Sequence, residues 1–358
     1  MSEATAVLER ALEAGVFPGA VARCVWRGDT VVAFAGGRLD VADLAPAVAE
    51  ETLFDLASVT KIFTSVAVLS LIDRGLVGID SELGEHLPEM PEDKRRLTVR
   101  QLLTHVGGLA RGQELQGLHP ERGPLRRGIE SIPLISEPGT AVAYSSIGYM
   151  YLGWMIEAVT GQGLDRFFEE TIIGPCGLAH TRFRPPIELR DSIAAAEYRA
   201  ELGRCVQGVV HDEKSRILGG VTGHAGLFAP AEDVVALGRA LIDPAGRLLG
   251  ESRRLLYEDL TGPLSPRRSA AFIIDDPVFS DWPHPSFSHT GFTGTSLCLV
   301  PELDLVAVLL TNRVCPSRDE DRIAGVRTAF HGAVRDLIGA SRAGGGSTTP
   351  MGRIGGGG

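Results

Sequence analysis

Two stretches, one near each end of the chain, carry the short apolar runs and turn residues of β-hairpins. In GAVARCVWRGDTVVAFAGG (residues 19–37) two β-rich runs flank an Arg-Gly-Asp turn. In TSLCLVPELDLVAVLLTN (residues 295–312) two more flank Pro301-Glu302-Leu303-Asp304. Between these ends the period lengthens. SVTKIFTSVAVLSLIDRG, LTVRQLLTHVGG and SIGYMYLGWMIEAVTG each read as a helix closed by glycine. The first twenty residues space their apolar positions as an amphipathic helix does.

Sheet at both ends and helix between predict an α/β fold of the α+β type, with an antiparallel β-sheet flanked by helices and a mostly helical second domain. The expected division is a discontinuous sheet domain (1–60 and 212–340), a helical domain (61–211) and a disordered glycine-rich tail (341–358). A cleft should form where the two domains meet.

Composition narrows the function classes. At 358 residues, 44% hydrophobic and 22% charged, the chain can bury a large core. Its 45 acidic against 35 basic residues, net −10, exclude a nucleic-acid backbone as the main partner. IFTSVAVLSLI is the longest apolar run; it falls short of the roughly 18 residues a membrane span needs and reads as a core helix. The N-terminus carries acids where a secretory signal has basic residues, so the expected location is cytoplasmic. Cys24, Cys176, Cys205, Cys298 and Cys315 are odd in number and lack C-x-x-C spacing, which predicts free, mostly buried thiols.

One compositional bias bears on chemistry. Of the 35 basic residues only Lys61, Lys94 and Lys214 are lysines; the other 32 are arginines. Arginine stays protonated in proteins, whereas a buried lysine can be tuned to accept a proton. Lys61 stands three residues after Ser58 in ASVTK, at the start of an apolar helix. The spacing puts both on one helix face, with Ser58 in the first turn where the helix dipole favours a developing negative charge. Ile62, Phe63, Val66 and Ala67 would keep the pair dry. A capped helix with a solvated lysine fits the same four letters, so the pair needs further parts. Two more segments supply them: Tyr144-Ser145-Ser146 at a loop-to-helix junction in PGTAVAYSSIGYMYLG, and His289-Thr290-Gly291 in SHTGFTGTS.

In this order and spacing, SVTK (58–61), LLTHVGGL (102–109), EPGTAVAYSSIGY (137–149), GGVTGHAGLF (219–228) and HTGFTGTS (289–296) resemble the serine β-lactamase and penicillin-binding protein superfamily. The likeness runs from about Val16 to Ile338 and is strongest to class C β-lactamases, DD-peptidases and the carboxylesterases sharing their fold. It implies a β-lactamase/transpeptidase-like architecture and an acyl-enzyme on Ser58, activated by Lys61 and Tyr144. It also implies an oxyanion hole of the Ser58 and Phe292 N–H groups, with Gly291 letting the strand approach substrate. Ser146, His289, Thr290 and Gly291 would contact substrate, and no cofactor or metal is implied.

Two positions depart from lactamases and peptidases. Ser146 replaces an asparagine that would hold an amide carbonyl, although capping the helix is an equal use for this serine. His289 replaces a lysine, exchanging a permanent cation for a group that ordinarily titrates near neutrality and could still lend charge to Tyr144. Both changes favour esters over amides. His105 and His224 stand beside glycines with no second ligand at helical spacing, so structural roles are expected. GGVTGHAG lacks the lysine and serine of a phosphate loop, and GFTGTS is not a G-x-S-x-G elbow. The expected function is hydrolysis of a small ester through acyl-Ser58, with a small-molecule acyl substrate as partner. An acyltransferase or amide synthase using the same intermediate, a β-lactamase or D-amino-acid peptidase, and a catalytically inactive binding protein are the alternatives. Oligomeric state is not legible.

Overall fold

A computed structural model describes residues 2–111 and 121–344. Both hairpins form. β1 (Gly19–Trp26) and β2 (Asp29–Gly37) meet at a turn in which Arg27 and Gly28 both take positive φ, the backbone that matches the strand twist. β8 (Ser296–Val300) and β9 (Leu305–Thr311) are joined by one 3₁₀ turn, with Asp304 in the left-handed region. Together with β6 (Ile273–Ile274) and β7 (Phe287–Thr290) they form one antiparallel sheet in the order β2-β1-β9-β8-β7-β6. The register brings β1 and β9 together along their length, Ala20 opposite Thr311 and Trp26 opposite Leu305.

Both faces of this sheet are covered, and β9 is accordingly apolar at every position but its last. Ala307 and Leu309 point to α1 (Glu3–Glu13) and α6 (Ile323–Gly344), with Leu8, Phe330 and Val334. Val306, Val308 and Leu310 point to the opposite layer, which includes α5 (Ala231–Ile242). That layer continues into the helical region around α2 (Thr60–Asp73) and α4 (Ser146–Thr160). α2 is buried on all sides from Thr60 through Leu69, and tertiary packing rather than propensity sustains a helix so rich in β-branched residues. Gly75 and Gly161, both at positive φ, end α2 and α4 as the sequence suggests.

A second sheet sits beside α2: β3 (Phe54–Asp55), β5 (Leu227–Ala229) and β4 (Arg182–Phe183), in the order β3-β5-β4. It delivers the chain to Ser58. α3 (Val99–Leu103) is shorter than LTVRQLLTHVGG suggests, and His105, not a glycine, is the first residue beyond it at positive φ. All five cysteines are free. Among the described residues no helix is long and apolar enough to cross a membrane. α6 runs on to Gly344, and the rest of the glycine-rich tail lies outside the described residues, as does most of the first half of loop 110–132.

Candidate active site

The chain leaves β3 through Leu56-Ala57-Ser58-Val59, a 3₁₀ turn that leads directly into α2. Ala57 has φ +45°, a conformation uncommon for a residue with a Cβ, and neighbouring groups hold it there. Asp55 accepts the Ala57 N–H at 2.8 Å through Oδ1 and the His211 N–H at 2.7 Å through Oδ2. Burial pushes this carboxyl up to about 6 despite both donors. From the far end of the chain, Thr293 Oγ1 donates to Asp55 O at 2.7 Å and Thr295 Oγ1 to Leu56 O at 2.9 Å. The turn is thus gripped on two sides, and Ser58 stands at its crest, half-buried.

Lys61 is completely buried. Its Nζ donates to Ser58 Oγ at 2.9 Å and to His224 O at 3.1 Å, and lies 5.0 Å from the Tyr144 ring centroid and 5.7 Å from that of Tyr149. The lysine of ASVTK is therefore not solvated. His224, the residue that offers this carbonyl, is itself tied down, its Nε2 and Asp212 Oδ1 being 3.0 Å apart. Burial opposes ionisation of Asp212, but His224, Lys214 and the Ser215 N–H outweigh it and hold the carboxyl below its usual range.

Tyr144 is half-buried at the end of the loop before α4. Its ring is 4.5 Å from that of His105 and 6.2 Å from that of His289. His105 Nδ1 accepts the Ser145 N–H at 3.1 Å; burial first, then Arg268, Lys61 and His289, keep this imidazole well below its ordinary value and so available as an acceptor. The structural role expected of His105 is thus a specific one: it braces the Tyr144–Ser145 backbone. Helix capping falls to Ser145, whose Oγ accepts the Ile147 N–H at 3.1 Å and donates to Ala110 O at 2.6 Å. That leaves the half-buried hydroxyl of Ser146 free of the capping duty.

His289 lies on β7 facing Tyr144, but its charge differs from the sequence expectation. Burial, then Lys61 and Arg268, hold it at about 3, so it is neutral at physiological pH. Neutral imidazole with Nδ1 2.9 Å from Thr290 O carries its proton on Nδ1 and presents Nε2 as an acceptor. The second cation beside Tyr144 is instead Arg268, which sequence reading missed. Its guanidinium carbon is 5.6 Å from the Tyr144 ring centroid and the residue is only 5% exposed. Its Nε has no hydrogen-bond partner among the described residues.

After Thr290 the chain passes flush against the Ser58 turn. The Gly291 N–H donates to Thr295 O at 2.7 Å, and Arg327 Nη2 donates to Gly291 O at 3.1 Å and Thr295 O at 2.9 Å. A Cβ on Gly291 would lie 2.0 Å from Thr295 Oγ1 and 2.6 Å from Leu56 O, so only hydrogen fits. Phe292 follows with its ring 49% exposed, between the His211 ring at 5.6 Å and the Arg313 guanidinium at 4.5 Å. Sequence-distant Ser58, Lys61, Tyr144, His289 and Gly291 thus share one locality, with Phe292 at its rim.

The sheet, the helical layer and the hydroxyl–amine pair between them are those of the β-lactamase and transpeptidase fold of serine hydrolases. Solved structures with this fold include EstCE1, a hydrolase with promiscuous acyltransferase activity (TM-score 0.74, 22% identity, 92% of this chain and 98% of that one). A class C beta lactamase from Rhodobacter sphaeroides superposes similarly (TM-score 0.72, 19% identity, 95% and 99%). The chain belongs to the beta-lactamase family, whose model matches residues 4–330. A putative D-alanyl-D-alanine carboxypeptidase of Escherichia coli K12 is 32% identical over 301 residues, spanning 73% of this chain and 69% of that protein.

Proposed function

We propose that the protein hydrolyses small esters through an acyl-enzyme on Ser58. The observation that carries this reading is the 2.9 Å contact between Ser58 Oγ and the buried Lys61 Nζ, on a turn gripped by the Gly291–Thr295 segment. Ser58 Oγ attacks the acyl carbon while its one proton passes to a single base, Lys61 as the free amine or Tyr144 as the phenolate. With Tyr144 as the base, the phenolate charge that the proton neutralises faces Lys61 and Arg268. The developing oxyanion is met by the Ser58 and Phe292 N–H groups. The proton then goes to the departing alkoxide, and water attacks the acyl-serine in the second half-reaction. With His289 neutral and serine at 146 in place of an amide, little in the cleft favours an amide over an ester, and the half-exposed Phe292 at the rim suits an apolar acyl or alcohol group. Intact-mass measurement during turnover of a p-nitrophenyl ester panel tests this. Wild type should gain one acyl mass, lost in Ser58→Ala together with turnover; turnover retained by Ser58→Ala overturns it.

Arg268 favours a second reading. A buried guanidinium with an unpartnered Nε beside Tyr144 can hold a carboxylate, which would suit a peptide with a free C-terminus. Release of D-alanine from an acyl-D-Ala-D-Ala peptide, abolished when its terminus is amidated, would support that reading; equal rates on both peptides would remove it.

A further inference from the structure

The fold assembles a second cluster of reactive side chains from three remote segments. Asp40 lies in the loop after β2, Cys205 in a short ribbon pairing Tyr198–Arg199 with Arg204–Cys205, and Cys315 just beyond β9. Cys315 Sγ is 3.4 Å from Cys205 Sγ and 3.7 Å from Asp40 Oδ1, and one ligand atom from each of the three falls within 4.8 Å of the others. Both cysteines are buried, and Asp40 stands at the partly exposed side. Among the described residues the Asp40 carboxylate has no ion pair; it accepts the N–H of Val41 and faces the thiols.

These separations match the edges of a metal tetrahedron. Zinc bonds of about 2.3 Å to sulfur and 2.0–2.2 Å to oxygen give edges of roughly 3.8 Å between two sulfurs and 3.5 Å between sulfur and oxygen. The observed 3.4 and 3.7 Å differ from these by a few tenths of an ångström. A disulfide needs sulfurs about 2.05 Å apart. Two thiolates and a carboxylate form a borderline-soft donor set that suits zinc better than magnesium or calcium. We propose that Asp40, Cys205 and Cys315 bind one zinc ion, with solvent completing the tetrahedron on the Asp40 side. Binding displaces both thiol protons to the buffer.

The site would link remote segments of the fold and lies outside the acyl chemistry. The Ala195 N–H already donates to Leu39 O at 2.7 Å and the Tyr198 N–H to Pro316 O at 2.7 Å, so the ion would join segments that backbone bonds bring together. The segment that carries Cys205 continues to His211, whose N–H donates to Asp55 and whose ring stacks on Phe292.

Metal content and cobalt spectroscopy of the full chain test the proposal. After chelator treatment and dialysis, zinc should rebind at one equivalent per chain and raise the melting temperature. Cobalt in its place should give a thiolate-to-cobalt charge-transfer band in the near ultraviolet. Cys205→Ser and Cys315→Ser should lose band and stoichiometric metal, Asp40→Asn should bind zinc at least about tenfold more weakly, and Cys176→Ser should match wild type. If a cysteine variant fails to fold, the wild-type band and the Asp40→Asn affinity still decide. Absence of a thiolate band in wild-type protein, zinc content unchanged in the folded cysteine variants, or a Cys205–Cys315 disulfide in freshly purified protein overturns the proposal.

Discussion

Replacing Gly291 by alanine isolates the close approach between the Gly291–Thr295 segment and the Ser58 turn. The new Cβ would lie 2.0 Å from Thr295 Oγ1, and the threonine can escape by rotating away from Leu56 O. That removes one of two donors to this carbonyl, which keeps the Val59 N–H at 3.0 Å, a cost of about 0.5–1.5 kcal/mol. Rotation does not relieve the second contact. Leu56 O must still retreat from 2.6 Å towards an ordinary 3.4 Å, and it belongs to the turn that carries the Ser58 N–H. A shift of about 1 Å in a reacting group costs roughly 100-fold, similar to the 10²–10³ lost with one oxyanion donor. Single-turnover acylation should therefore slow about 100-fold, near 2.7 kcal/mol in the barrier, with KM little changed and the melting temperature a few degrees lower. Thr295→Ala, which loses the hydrogen bond without the steric push, separates the two effects and should keep most of the rate. A folded Gly291→Ala enzyme acylating within about threefold of wild type, or slowed no more than Thr295→Ala, would refute this reasoning.

Lys61→Arg keeps a positive charge but cannot give it up, and its larger fork does not fit the space between Ser58 Oγ and His224 O; acylation should fall at least about 10³-fold, and more than a tenth of wild-type rate would count against Lys61 as a proton acceptor. His289→Asn should change the level of kcat/KM while leaving the shape of its profile between about pH 5 and 8 unaltered, because burial already holds the imidazole at about 3; loss of an inflection near 6.5 in that variant would show instead that His289 titrates in the working range. His331 is completely buried in α6 with neither ring nitrogen partnered among the described residues, and burial followed by Arg327 holds it at about 3. The folded state therefore binds fewer protons than the unfolded chain between about pH 3 and 6.5, so stability falls as pH drops through that window, by about 2 kcal/mol at pH 5. In His331→Leu the urea midpoint should lose correspondingly less between pH 7.5 and 5; an unchanged difference sinks the assignment.

The parts of this molecule legible in its sequence are those written in local chemistry. Arg27-Gly28 and the Pro301–Asp304 turn announce their hairpins, Gly75 and Gly161 end their helices, and the Ser58–Lys61 spacing needs only one helical turn to be read. What stayed hidden depends on partners remote in the chain. Nothing near Arg268 sets it apart from 31 other arginines; its meaning comes from lying over Tyr144, which only the packed core decides. The charge of His289 was misjudged for the same reason, since burial is a tertiary property. Ser145 and Ser146 are adjacent and alike, and the carbonyl of Ala110 selects which one caps α4. His105 adopts a backbone usually left to glycine while its ring packs against Tyr144 and Tyr149. Cys205 and Cys315, 110 residues apart, meet only when the Tyr198–Cys205 ribbon folds back beside the end of β9.

The hydrogen bonds from Thr293 to Asp55 and from Thr295 to Leu56 span 238 and 239 residues. A ribosome releases the N-terminal partner of each long before the other. α2 and its Ser58–Lys61 pair can therefore take shape while the turn beneath them still lacks its clamp and the Phe292 N–H has not been made. Over the same interval β1 has β2 on one side and an open edge on the other, until β9 arrives to fill it. Assembly of the surroundings of Ser58 and closure of the sheet thus fall at one late moment of synthesis. An incomplete chain cut off before residue 291 holds the serine, the lysine and β7 but lacks the Thr293 and Thr295 hydroxyls that clamp their turn.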